Sequence, residues 1–189
     1  RLSTDTVIAT STFDAWQVRV TLKRKTSRTA TPTLRAVNGI AASYTTRSIP
    51  TSATTMTRTT ELAVPSSSQM IHRGHYPQWG SGGEAWCSPT STAMVMRYFG
   101  GAPTASRYAW TKESQGFVDH AARYTYDHAY QGTGNWSFNT AYATIYGLDA
   151  FVTRLYSLRE AESFIKAGIP LVVGVAFGRG ELSGAPISS

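Results

Sequence analysis

The chain has 189 residues, enough for one sizeable domain or for one domain with a fragment of another. Apolar residues at 41 % permit a packed core, charged residues are sparse at 15 %, and 18 basic against 11 acidic side chains leave a net charge of +7. A single cysteine excludes an intrachain disulfide, and no run approaches the roughly 20 apolar residues of a membrane-spanning helix.

The chain begins with Arg1 and shows no signal-peptide pattern, as a processed or trimmed product would. The first 44 residues read as strands. In Trp16 to Arg24, Val18, Val20 and Leu22 alternate with Arg19, Thr21 and Lys23, the period of two expected of a half-buried strand. Thr6 to Thr10 and Leu34 to Tyr44 read as two more. Three strands are too few for a sandwich, so residues 1–44 are expected to be part of a larger β-domain.

The basic excess is concentrated here, from Arg19 to Arg58, with few acids before Glu61. No nucleic-acid motif and no interleaved aromatic face accompanies it, which argues against a nucleic-acid partner. A solvated basic face is expected, with contact to an anionic cell-wall polymer as the alternative. Residues 45–60 are rich in Thr and Ser, carry Pro50 and lack periodicity, as a linker does.

Residues 61–189 read as an α+β region. A Gly-rich loop, Gly80 to Gly83, leads to Trp86-Cys87. A helix is expected to follow, with Pro89 in its first turn, Ala93, Met94, Met96 and Tyr98 filling it, and Gly100-Gly101 stopping it. Further helices are expected over about Ser114 to Arg123 and Phe138 to Tyr146. Ala150 to Leu155 is a predicted strand. Ser157 with Glu160 makes a capping box for a helix whose inner face carries Leu158, Ala161, Phe164 and Ile165 and which ends at Gly168. A buried strand, Leu171 to Phe177, follows Pro170.

The chemistry centres on Cys87. A thiol at a helix start faces free backbone N–H groups and the positive end of the helix dipole, and the same N–H groups can hold an oxyanion. A lone cysteine is more often a buried structural residue. The wider pattern bears on this choice: Val64-Pro65-Ser66-Ser67-Ser68-Gln69, a loop, then Trp86-Cys87-Ser88-Pro89-Thr90-Ser91-Thr92-Ala93-Met94-Val95-Met96. This resembles the N-terminal half of the bacteriocin-processing type of cysteine peptidase (cysteine peptidase family thirty-nine), in its secreted bacterial branch, which has a papain-like fold. The resemblance runs from about Glu61 to Ser189. Residues 1–44 add only that such proteins can carry an N-terminal β-domain.

The resemblance implies an incomplete papain-like cysteine peptidase domain, α+β, preceded by a β-rich segment from a β-sandwich-like domain. It implies secretion, a peptide or protein substrate, and no cofactor. Cys87 matches the nucleophile and Gln69 the oxyanion-hole glutamine. Gln78 lies nearer to the cysteine and competes for that role. Ser88 stands where the family often has glycine. Trp86, Asn135 and Trp136 are candidate substrate contacts.

A papain-type thiol needs a histidine base and an orienting Asp or Asn. His72 and His75 precede the cysteine, and His120 and His128 follow it in helical and aromatic-rich sequence. None stands where the resemblance places the base. The base is therefore expected beyond Ser189. His120 or His128 in a rearranged site, or a non-catalytic binding module with a vestigial thiol, remain as alternatives. A papain-fold amidase or transpeptidase is a further one, although such cell-wall enzymes usually carry Asp before the nucleophile. Two apolar strands leave a sheet unfinished, so a continuation or a second chain is expected to complete it. No metal site is expected from the histidine pairs, since no second cysteine is available and the spacing of His120 and His128 does not suit helical ligands. Tyr124, Tyr126, Tyr130, Trp136 and Tyr142 form an aromatic belt read as core, with a substrate groove as the alternative. Asp119 and Asp127 are read as structural hydrogen-bonders.

Overall fold

The computed structural model describes residues 6–41, 51–175 and 177–181. Helix α1 spans Cys87–Tyr98, α2 Gly116–Thr125, α3 Trp136–Ile145 and α4 Leu158–Lys166. Single 3-10 turns occupy Gln69–His72, Pro77–Trp79, Gly83–Trp86 and Ala105–Arg107.

The helix boundaries follow from local chemistry. α1 ends at Gly100, which takes φ +71°. The Gly101 amide then reaches back to the Met96 carbonyl (2.9 Å) and the Gly100 amide to Arg97 (3.1 Å). This left-handed stop favours glycine, and Gly147 and Gly168 end α3 and α4 in the same way. α2 begins two residues later than expected. Gln115 adopts φ +57°, and Gly116 packs so closely on Thr111 and Tyr108 that a Cβ there would collide with Thr111. α3 begins two residues earlier, because Asn135 caps it by accepting the Phe138 amide (3.3 Å). At α4, the Ser157 hydroxyl accepts the Glu160 amide (3.3 Å), while the Glu160 carboxylate accepts the amide of Tyr156 (2.8 Å). The box is thus closed one residue earlier than the standard pattern.

α1, α2 and α3 pack on one another. Ala93 and Met96 of α1, Ala121 of α2, and Tyr142 and Ala143 of α3 form one buried cluster. Trp86 with Val118 and Ala122 of α2 forms a second, directly under the turn that precedes Cys87. Two small alanines on α2 allow the close approach of both neighbours. α4 buries none of its residues. It is held by the Tyr98 hydroxyl on the Gly168 carbonyl (3.1 Å) and by polar contacts with residues 53–55.

The expected α+β architecture is not what forms. Among the described residues there is no sheet, and β-bridging is limited to isolated pairs such as Asp127 with Gly132. Thr6 to Thr10, Trp16 to Arg24 and the described part of Leu34 to Tyr44 are extended without a ladder. Val18, Val20 and Leu22 are about half exposed (51 %, 45 % and 51 %). A turn closed by the Arg28 amide on the Lys25 carbonyl reverses the chain, and Trp16 lies over Gly39 on the returning arm. The neighbouring arms do not exchange ladder hydrogen bonds. The described residues of Ala150 to Leu155 and Leu171 to Phe177 likewise join no β-ladder among the described residues, and Val172, Val173 and Val175 are exposed. Alternation states a preference for a strand, but a strand exists only when a partner satisfies its backbone. For the same reason the apolar face of α4 stays only partly covered, and Leu158, expected inside, is 75 % exposed. Residues 42–44 of the third predicted strand, residues 45–50 of the linker, and Pro186 to Ser189 lie outside the described residues.

Candidate active site

Cys87 is the first residue of α1, and its side chain is exposed. Trp86 precedes it at φ −110°, ψ 26°, and no side chain caps the helix. The turn Gly83–Trp86 runs directly into α1, so Cys87 sits where that turn passes into the helix. The Cys87 Sγ lies 4.0 Å from the Ser88 Oγ.

The address of Cys87 is fixed from below and from the side. Below, Trp86 is fully buried, and its indole N–H donates to the Trp79 carbonyl (2.7 Å). Its ring faces His72 with 5.9 Å between centroids. The side chain named as a substrate contact is thus committed to the scaffold. From the side, Thr133 donates its hydroxyl to the Ala85 carbonyl (2.9 Å). The Asn139 amide donates to the carbonyls of Thr133 (2.9 Å) and Asn135 (2.8 Å) and accepts from the Thr92 hydroxyl of α1 (3.1 Å).

Asn135 is 3 % exposed. Besides capping α3, it donates to the Asp127 carboxylate (2.8 Å). Asp127 also accepts the amides of Ala129 and Tyr130. The Asn135 bond and those two amides hold the Asp127 carboxyl below its ordinary range, although burial acts against them. Trp136 is 46 % exposed and packs over Gly174. Within the aromatic belt Tyr142 is buried, whereas Tyr124, Tyr130 and Trp136 are about half exposed.

Gln69 opens the turn Gln69–His72, which the Ser68 hydroxyl caps by accepting the Met70 amide (3.3 Å). That turn packs against Gly83–Trp86, the turn that delivers Cys87. The long sequence gap is closed by a tight loop. A Cβ on Gly82 would collide with the His72 carbonyl, and the Gly74 amide donates to the Ser81 carbonyl (2.6 Å). Gln78 is exposed on the outer part of this loop.

The four histidines are engaged elsewhere. His72 and His75 face Asp119 of α2. His120 pairs with the Tyr142 hydroxyl (2.8 Å). Burial, with Arg123 and Arg107 nearby, pushes the His120 imidazole down to about 4, and burial raises the Tyr142 phenol. His128 stands edge-on to Tyr126.

Sequence reasoning passed over Thr133, Asn139 and Thr92. The spacing of Asn135 and Asn139, one helical turn apart, was the available signal. It also kept the His72 and His75 pair apart from Asp119, which lies 44 or more positions further along the chain. No helix among the described residues is long and apolar enough to cross a membrane.

A family model described as Peptidase_C39 like family matches residues 61–187. No curated protein and no solved structure matches the chain.

Proposed function

The chain belongs to the Peptidase_C39-like family of cysteine peptidases, and on that footing we propose that it is the nucleophile-bearing part of a secreted enzyme that hydrolyses peptide bonds through Cys87. The observation that carries this is the exposed thiol at the uncapped first residue of α1, inside the matched segment.

The Cys87 thiolate attacks the carbonyl carbon of the scissile peptide. The oxyanion is held by the backbone N–H at the start of α1 and by the Gln69 side-chain amide, carried on the turn packed beside it. The amine leaves as it takes a proton, giving a thioester at Cys87. Water then hydrolyses the thioester, releasing the carboxylic acid and restoring the thiol. The proton-transferring histidine and its orienting residue come from outside these 189 residues. This part of the reading rests on the four histidines being turned to Asp119, Tyr142 and Tyr126. Thr133, Asn139 and Thr92 position the nucleophile by fixing the turn before it to α3 and α1.

Two measurements on the natural full-length protein test the reading. Iodoacetamide is expected to alkylate Cys87 much faster than free cysteine at pH 6. Cys87→Ala is expected to remove peptide hydrolysis by on the order of 10³-fold or more while leaving the circular dichroism unchanged. Sluggish alkylation together with undiminished hydrolysis in Cys87→Ala sinks the peptidase reading. Sluggish alkylation with no hydrolysis in either protein assigns the thiol to a non-catalytic binding module.

A further inference from the structure

His72 ends the turn Gln69–His72, and His75 follows it by three residues, so both imidazoles lie on one short stretch of backbone. The two rings meet edge to face with 5.2 Å between centroids. Opposite them stands Asp119, in the first turn of α2, with its side chain fully buried. Its two carboxylate oxygens divide between the two rings. Oδ1 lies 2.9 Å from the His75 Nδ1, and Oδ2 lies 3.1 Å from the His72 Nδ1.

The first contact is an ordinary hydrogen bond. The second is not. The His72 Nδ1 and the Asp119 Oδ2 are in contact, yet neither makes a hydrogen bond, and both are shut off from solvent. The His72 Nε2 is a third buried atom without a hydrogen-bond partner. Buried polar atoms are nearly always satisfied, and a carboxylate oxygen left bare costs more than a neutral group does. Two of these orphans, the His72 Nδ1 and the Asp119 Oδ2, face each other at 3.1 Å, and that pair calls for something between them.

A cation supplies it. One donor atom from each of His72, His75 and Asp119 lies within 4.8 Å of the others. Two ligands on a tetrahedral zinc ion, each at about 2.0–2.2 Å, stand about 3.3 Å apart, close to the separation of the His72 and Asp119 atoms. An ion there takes up the His72 Nδ1 and the Asp119 Oδ2 together, and leaves the His72 Nε2 to carry the imidazole proton. Two imidazoles and one carboxylate form a borderline donor set that suits zinc and its neighbours rather than magnesium or calcium. His75, whose side chain is 17 % exposed, borders an open cavity lined by Gly74, Tyr76, Trp110, Lys112 and Glu113, which gives an ion a route in. The Glu113 carboxylate lies 3.9 Å from the outer nitrogen of His75, at the edge of that cavity.

We propose that His72, His75 and Asp119 form a divalent transition-metal site, filled by zinc, that ties the loop before Cys87 to α2. The expectation of no metal, drawn from the histidine pairs alone, omitted the carboxylate that α2 brings to them. The site is separate from the thiol chemistry and stands whether or not Cys87 is a nucleophile.

The test uses the full chain, without a histidine tag and with Cys87→Ala, so that no thiol contributes. After treatment with a chelator the protein is loaded with Zn²⁺, desalted and measured by mass spectrometry for metal. One zinc ion per chain is expected to remain, and zinc is expected to raise Tm. Co²⁺ is expected to give the intense visible bands of a four-coordinate nitrogen and oxygen site. His75→Gln, the least buried change, and Asp119→Asn are each expected to lose zinc on desalting. Should Asp119→Asn fail to fold, His75→Gln carries the comparison. Zinc absent after desalting, a weak octahedral cobalt spectrum, or zinc retained equally in His75→Gln overturns the proposal.

Discussion

Thr133 donates its hydroxyl to the carbonyl of Ala85 across a gap of 48 residues, at 2.9 Å. Ala85 lies two residues before Cys87, so this bond ties the turn before Cys87 to the loop that leads into α3. Asn139 extends the tie to Thr92 of α1. Both ends of the backbone around Cys87 are therefore fixed by polar side chains of the same neighbouring segment.

Replacing Thr133 by Val keeps the shape and removes the donor. A loss of about 1 kcal/mol in urea denaturation is expected. Faster hydrogen exchange is expected at the amides of the turn Gly83–Trp86. Thr133→Ser, which keeps the hydroxyl, is expected to preserve the protection. Equal exchange in all three proteins would show that the bond does not hold the turn.

Two glycines with positive φ are expected to differ sharply. Gly100 (φ +71°) has open space where a Cβ would stand, so Gly100→Ala costs about 1–2 kcal/mol from backbone conformation alone. Gly82 (φ +61°) has the His72 carbonyl in that space. Gly82→Ala is expected to cost at least about 2 kcal/mol more, because the loop itself must open. Urea midpoints of the two variants decide; similar values would mean that the loop is looser than the packing implies.

If the proposed peptidase chemistry holds in the natural protein, Gln69→Ala is expected to lower kcat by about 10²–10³-fold with little change in KM, as loss of an oxyanion donor does. Gln78→Ala is expected to leave both parameters nearly unchanged, since Gln78 is exposed on the outer part of the loop. The reverse pattern would transfer the oxyanion role to Gln78.

Glu162 of α4 accepts the amide (2.8 Å) and the hydroxyl (2.6 Å) of Thr55, and Lys166 contacts the same threonine. The hydroxyls of Thr54 and Thr55, then the Thr55 amide, pull its carboxyl from 4.5 down to about 2. Because the docked value is the lower one, the undocked chain takes up the proton first as pH falls. The contribution of this contact is complete above about 4.5 and is lost as pH falls through about 2. The Thr55 amide shift in NMR is expected to titrate with a midpoint near 2, and Glu162→Gln is expected to remove that titration. A midpoint at the ordinary carboxyl value would mean that residues 53–55 do not dock on α4.

What the sequence determined was what neighbouring residues can settle between themselves. The helix beginning at Cys87, the Ser157 cap with Glu160, and the glycine stops at 100, 147 and 168 are products of bonds spanning three to five residues. The segment Trp86 to Met96 identified the family for the same reason, because its pattern is contiguous, whereas Gln69 stands 18 positions before the cysteine. The tertiary structure decided what depends on distant partners. The alternation of Val18, Val20 and Leu22 promised a strand, but pairing needs a second strand at hydrogen-bond distance, and none is found among the described residues. Asn135 looked like a ligand contact in a glycine-flanked loop, and Asp127 together with the α3 amides claimed it. Trp86 could have faced a substrate, and the small residues of α2 made room to bury it. The meeting of His72 and His75 with Asp119 is of the same kind. Each residue alone is ordinary, and only the packing of the loop on α2 brings the imidazoles to the carboxylate.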